Sequence, residues 1–173
     1  DIPDSVTSIG KEAFSGCSSL TSVELSDSLT TIPEKLFYNC SKLESIDIPD
    51  SVTSIGKEAF SGCSDLTSVE LPENLTAIPE KLFYNCYNLT NIDIPDNVTS
   101  IGEEAFSGCS NLVSVELPDS LTTIPDGLFS SCVKLENITI PDSVTTIGYN
   151  VFQDCFELTS VGLPNSLTEI PSG

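Results

Sequence analysis

The chain contains no His, Arg, Met or Trp. Without His, no side chain has an ordinary pKa suited to general-base work near neutrality. Without Arg, all six basic residues are Lys, and 26 Asp and Glu leave a net charge of -20. Such a polyanion repels nucleic acid and anionic lipid; it suits solvation, calcium or a basic partner. No apolar run reaches 18 residues, so no membrane-spanning helix and no membrane insertion are expected. No two cysteines are spaced as CxxC, which removes the usual signature of a zinc or redox site. Hydrophobic residues still make up 39% of 173, too many for a disordered chain and enough for one domain with a sizeable core.

What is present is a repeat, and a repeat decides architecture before anything else does. Cys17, Cys40, Cys63, Cys86, Cys109, Cys132 and Cys155 recur every 23 residues. A Phe column from Phe14 to Phe152 and a Leu column from Leu20 to Leu158 keep the same period. The chain divides into a partial coil 1–19, six full coils over 20–157 and a partial coil 158–173, one array over 1–173. Successive coils alternate between Ile-Gly with Ala-Phe (Ile55, Gly56, Ala59, Phe60) and Ile-Pro with Leu-Phe (Ile32, Pro33, Leu36, Phe37). Residues 3–25 and 49–71 differ only at Ser19 versus Asp65, so the duplicated unit is 46 residues. The chain opens and closes inside coils and does not start with Met. It therefore reads as a segment of a longer array, the alternative being a polymer that associates end to end so that neighbouring chains cover its bare ends, which expose apolar surface and strand edges.

In Leu20–Leu25, Val23 and Leu25 alternate with Ser22 and Glu24, the period of a half-buried strand. Pro72, Pro95, Pro118, Pro141 and Pro164 close the equivalent segments, where a missing N–H does little harm. Turns such as Pro49-Asp50-Ser51 redirect the chain, and Val52 and Ile55 point back inward. Ala59, Phe60 and Cys63 fall on one face of a single helical turn. One coil cannot bury this apolar side alone. Stacked coils can, with strands paired in parallel about 4.8 Å apart in one sheet.

The pattern LxxVxLxxSxLxxIPxxLFxxC is similar to that of leucine-rich repeats, with Ser28 and its equivalents where that family places Asn; Asn74 and Asn97 keep Asn. The segments IPDSVTSIGKEAFSGCSSLTSVEL and LPDSLTTIPDGLFSSC most resemble the BspA-like, or Treponema-type, subclass. The resemblance covers essentially the whole chain. It implies a leucine-rich-repeat right-handed solenoid of the α/β horseshoe class, with a concave parallel β-sheet and short helical or 3-10 turns on the convex side. It further implies an adhesive, secreted or cell-surface protein of a bacterium or protozoan parasite.

The cysteines sit once per coil beside Phe, so they read as packed thiols. Ser, Thr and paired carboxylates recur in every coil, whereas an enzyme site is built from residues that break a repeat; the expectation is a protein that is not an enzyme and requires no cofactor. Five Asn-x-Ser/Thr sequons occur. In a secreted eukaryotic protein Asn88 and Asn137 are the expected glycan acceptors, because Asn74 and Asn97 hold the inward turn position.

Two acidic columns stand out. Glu24, Asp47, Glu70, Asp93 and Glu116 occupy the strand position between the inward residues, and Asp27, Asp50, Glu73, Asp96 and Asp119 follow three residues later. The bland reading is a solvated face. The functional one is a concave surface for a basic protein ligand or a host surface, with weak calcium at Glu70 and Asp93 relieving like-charge repulsion. The competing class is structural: solenoids stacked into a coat or filament. The columns are uniform through Glu116 and depart at Thr139, Gly162 and an exposed Phe156, which leans toward a site near the C-terminal end.

Overall fold

The structure, a computed structural model, describes residues 1–172; Gly173 lies outside the described residues. Twelve short strands run among them in two parallel ladders. The first occupies the expected segments: β2 Ser45–Asp47, β4 Ser68–Glu70, β6 Asn91–Ile92, β8 Ser114–Val115, β10 Asn137–Thr139 and β12 Ser160–Gly162. Their register is one coil, as in Asp47↔Glu70 and Ile138↔Val161. The second was not expected: β1 Thr31–Ile32, β3 Ser54–Ile55, β5 Ala77–Ile78, β7 Ser100–Ile101, β9 Thr123–Ile124 and β11 Thr146–Ile147. In each of these the Ile is buried and the residue before it is exposed.

The single continuous sheet is corrected. Strands pair only two by two: β2 with β4, β6 with β8 and β10 with β12 on the first face; β1 with β3, β5 with β7 and β9 with β11 on the second. Proline two or three residues beyond each first-face strand cannot donate to a ladder, which keeps pairing to two or three residues. The two sets of pairs are staggered, so consecutive coils are strand-paired on one face at a time. The coils nevertheless stay in register, because backbone bonds at the strand entrance run through every coil, from Glu44 N→Thr21 O (3.0 Å) to Thr159 N→Glu136 O (2.9 Å).

The helical or 3-10 turns expected opposite the first face are also corrected: that segment is a chain of turns. Lys35, Glu58, Lys81 and Glu104 adopt φ of 57°, 56°, 55° and 54°, and Asn39, Gly62, Asn85 and Gly108 are left-handed again four residues later. Left-handed residues at this spacing cannot belong to an α-helix. They aim alternate N–H groups at the next coil, as in Phe37 N→Ala59 O at 2.8 Å and Phe60 N→Leu82 O at 3.2 Å.

The core is the stack of columns. Phe37, Phe60, Phe83, Phe106 and Phe129 are fully buried, and each ring stacks on the next at 5.7–5.8 Å. Phe14 and Phe152 are partly buried, having a neighbouring coil on one side. The thiols are unbridged, and each from Cys40 to Cys155 lies 3.0–3.2 Å from the carbonyl of the Phe 26 residues before it, as Cys63 Sγ donates to Phe37 O. Burial pushes Cys40 and Cys155 up to about 11 and raises Cys63, Cys86, Cys109 and Cys132 as well. Uniform burial of all seven is corrected: Cys17 is exposed and Cys155 half-buried. In the turn column, Ser51 donates to Leu29 O at 2.6 Å, and Ser143 and Ser166 donate likewise to Leu121 O and Val144 O.

Candidate functional site

Alternation in the first ladder decides what reaches solvent. Val69 is buried between Ser68 and Glu70, which are exposed, and the same holds at Ile46 and Ile138. The strand column of acids therefore projects outward on one face. Glu24 bridges Asp47, and Asp47 stands in register with Glu70. Asp93 and Glu116 lie one residue beyond β6 and β8 in the same column. The second column follows after the turn proline, so that Asp47, Asp50, Glu70, Glu73, Asp93 and Asp96 together line one open groove of about 620 Å³, with Ser68 and Asn91 on its floor. Glu116 and Asp119 line a separate, smaller groove of about 350 Å³ with Asn137, Thr139 and Pro141. Glu24 and Asp27 are exposed in the same columns and line neither groove.

The electrostatics of the two sides differ. On the turn side, Lys11 pairs with Glu34 (2.6 Å), Lys35 with Glu58, Lys57 with Glu80, and Lys81 with Glu80 and Glu104. The Lys11 ammonium, hydrogen-bonded to Glu34, holds that carboxyl below the usual range; Lys57 does the same to Glu80. Lys42 pairs with Asp65 at 2.8 Å. Among the described residues none of the ten acids of the two columns has a Lys within ion-pair distance. Unit charges one rung apart, about 4.8 Å, repel by about 0.9 kcal/mol even in water.

Calcium fares less well than the groove. It takes six to eight oxygen ligands, and among the described residues no three or more Cys, Asp or Glu are gathered to hold a metal ion. Glu70 and Asp93 are two carboxylates on neighbouring rungs, not a cage. The solvent exposure expected of the two sequon asparagines holds at Asn137 and not at Asn88. Asn88 is half-buried, with its amide in a polar ladder that donates to Asp65 Oδ1 (3.4 Å) and accepts from Asn111 (3.1 Å). Asn137 is exposed, but its Oδ1 accepts from Ser160 Oγ at 2.7 Å. Asn97 donates to Glu73 O at 2.9 Å, but both Asn97 and Asn74 are exposed, so the inward position expected of them is corrected.

Thr139 and Gly162 are brought together, in register on β10 and β12. Phe156, 77% exposed, lies in the turn segment and lines neither groove. Tyr87, Val113 and Tyr149 are exposed and were not singled out from the sequence. Tyr87 breaks the Ser column that Val133 and Phe156 also break, and Val113 stands in a column otherwise of Thr and Glu; those breaks are the available signal.

The family described as BspA type leucine rich repeat region (6 copies) matches residues 1–92 and 76–173. Among solved structures, a leucine-rich repeat protein from Bacteroides ovatus is 45% identical with a TM-score of 0.90, over 94% of this chain and 42% of that one. This chain thus spans about two fifths of that relative's length. The T. pallidum leucine rich repeat protein is 33% identical with a TM-score of 0.80, over 87% of this chain and 71% of that one. A leucine rich cell surface protein from Faecalibacterium prausnitzii is 26% identical with a TM-score of 0.60, over 98% of this chain and 59% of that one. A search of curated proteins finds no match.

Proposed function

This chain belongs to the BspA-type leucine-rich-repeat family, and from that premise we propose that it is a non-catalytic, extracellular or cell-surface binding module whose acidic strand face receives a basic protein ligand. The observation that carries the reading is the single groove in which six carboxylates from three successive coils face solvent with no lysine in ion-pair reach. A cationic partner would remove the repulsion between rungs and release the groove's counterions, two gains that a solvated face forgoes. The cell-surface relative from Faecalibacterium prausnitzii supports the location. A non-catalytic role is supported by the way hydroxyls and thiols are used: Ser51, Ser143 and the buried Cys column donate to carbonyls of the preceding coil.

A short poly-L-lysine peptide tests this by calorimetry. Binding should weaken steeply as ionic strength rises from about 0.01 to about 0.15 M and the Debye length falls from about 30 to about 8 Å. Replacing Asp47, Glu70 and Asp93 with their amides should abolish it. The same change at Glu103, Asp154 and Glu157, outside the groove, should not. Equal loss from both triple variants would show attraction to net charge alone and defeat the proposal.

A further inference from the structure

The first face keeps at least its entrance bond at every junction, as in Thr90 N→Thr67 O (3.2 Å), whereas the second face is closed at alternate junctions and open at the rest. Where a Pro coil is followed by a Gly coil, the second face is closed: β1 pairs with β3, β5 with β7 and β9 with β11. Flanking bonds extend each pair, Thr53 N→Thr30 O (3.0 Å) with Gly56 N→Ile32 O (2.7 Å), then Thr99 N→Thr76 O (2.9 Å) with Gly102 N→Ile78 O (2.8 Å). These glycines are required by the contact. A Cβ on Gly56 would stand 2.3 Å from Glu34 N, and one on Gly102 2.3 Å from Glu80 N. The Gly coil nests against the backbone that follows the proline of the coil before it.

Where a Gly coil is followed by a Pro coil, this face is open. Among the described residues no backbone hydrogen bond joins 53–56 to 76–79, or 99–102 to 122–125. The chemical reason is Pro79 and Pro125, which stand in the glycine column and have no N–H to offer Ile55 O or Ile101 O. These junctions are pinned on the other face, where β2 pairs with β4 and β6 with β8. They are also held at the turn side, where Phe60 N→Leu82 O and Phe106 N→Leu128 O are both 3.2 Å. A contact held on two sides and free on the third is a hinge.

We propose that the solenoid's mechanical unit is the pair of coils, Pro coil then Gly coil, and that the junctions 55/78 and 101/124 are hinges at which the array bends by parting its second face. The 46-residue period of the sequence is then the period of the hinge. Because β2 and β4 are the pivot at the first junction, bending leaves Asp47 and Glu70 in register while the Thr-bearing face opens.

Amide hydrogen exchange followed by NMR under native conditions tests this directly. Thr76 and Thr122, at the open junctions, should exchange about tenfold or more faster than Thr53 and Thr99, which each have an inter-coil bond whose loss is worth roughly that factor. Pro79→Gly supplies the missing N–H without a Cβ to clash with the preceding coil, and should slow Thr76 toward the rate of Thr99, leaving Thr53 unchanged. In a Cys17→Ser, Cys155→Ser background, nitroxides on Thr53→Cys and Thr76→Cys should show a broader distance distribution than on Thr76→Cys and Thr99→Cys. Thr76 as slow as Thr99 in the unaltered protein, no response to Pro79→Gly, or equal widths for the two spin pairs would each overturn the hinge.

Discussion

Replacing Glu70 with Gln and Asp93 with Asn should stabilise the free protein. The two substitutions remove three neighbour repulsions in the strand column, with Asp47, with Glu116 and between themselves. Each is worth about 0.9 kcal/mol in water at a rung spacing of about 4.8 Å. At physiological ionic strength the Debye length of about 8 Å roughly halves each one, so the gain is about 1.5 kcal/mol there and about 2.5 kcal/mol in very dilute buffer. Both side chains are exposed, so the amides cost no buried hydrogen bond. Urea unfolding in low and physiological salt reads the gain as a shift in midpoint. The unaltered protein should gain more from added salt than the double variant does. Calcium at matched ionic strength should raise the midpoint of the unaltered protein above a sodium control, weakly and at millimolar concentration, and lose that advantage in the variant. A variant no more stable than its parent, with the same response to salt and calcium, would refute the claim that the column carries unrelieved repulsion.

Phe83→Ala should cost about 3–5 kcal/mol in the same assay, the range for a fully buried aromatic, because the ring is stacked on both sides at 5.7 and 5.8 Å. Phe152→Ala, partly buried and with one stacked neighbour at 6.1 Å, should cost clearly less. A disulfide exchange reagent near pH 8 should titrate Cys17 at once, Cys155 slowly and the other five only after denaturation. The raised thiol pKa values also set a pH dependence. The unfolded thiols ionise near 9.0 while folded Cys40 and Cys155 hold their protons to about 11, so the stabilisation is complete below 9 and is lost as pH rises through that window; Cys86→Ala should flatten the fall. Glu103→Lys should stabilise by about 0.5 kcal/mol, the scale of an exposed ion pair. It restores the alternation Lys11, Glu34, Lys57, Glu80 at the position where the column turns to three successive acids.

The 23-residue columns made the core legible: inward Val69 and Ile138, the Phe and Leu stacks and the acids of the first face all sit where their spacing put them. The second ladder was not legible. A strand of two residues such as Ser54–Ile55 offers no alternation to read, and its partner depends on whether the next coil carries Gly or Pro. The turn segment is not legible in the sequence, because apolar spacing alone at Ala59, Phe60 and Cys63 fits a helix. The left-handed φ of Glu58 is the reason it is not one, and Glu does not advertise that conformation. Asn88 was placed in solvent because its partners Asp65 and Asn111 come from other coils, one register step away on either side.

The central claim, that the acidic strand face is the binding surface, is tested most directly by mapping amide shift changes as a short poly-L-lysine peptide is added. Shifts should be perturbed at Asp47, Glu70, Asp93 and their neighbours Asp50, Glu73 and Asp96, with Thr53, Thr76 and Thr99 of the second face unmoved. Perturbation spread evenly over both faces, or centred on the turn-side acids Glu103 and Asp154, would contradict it.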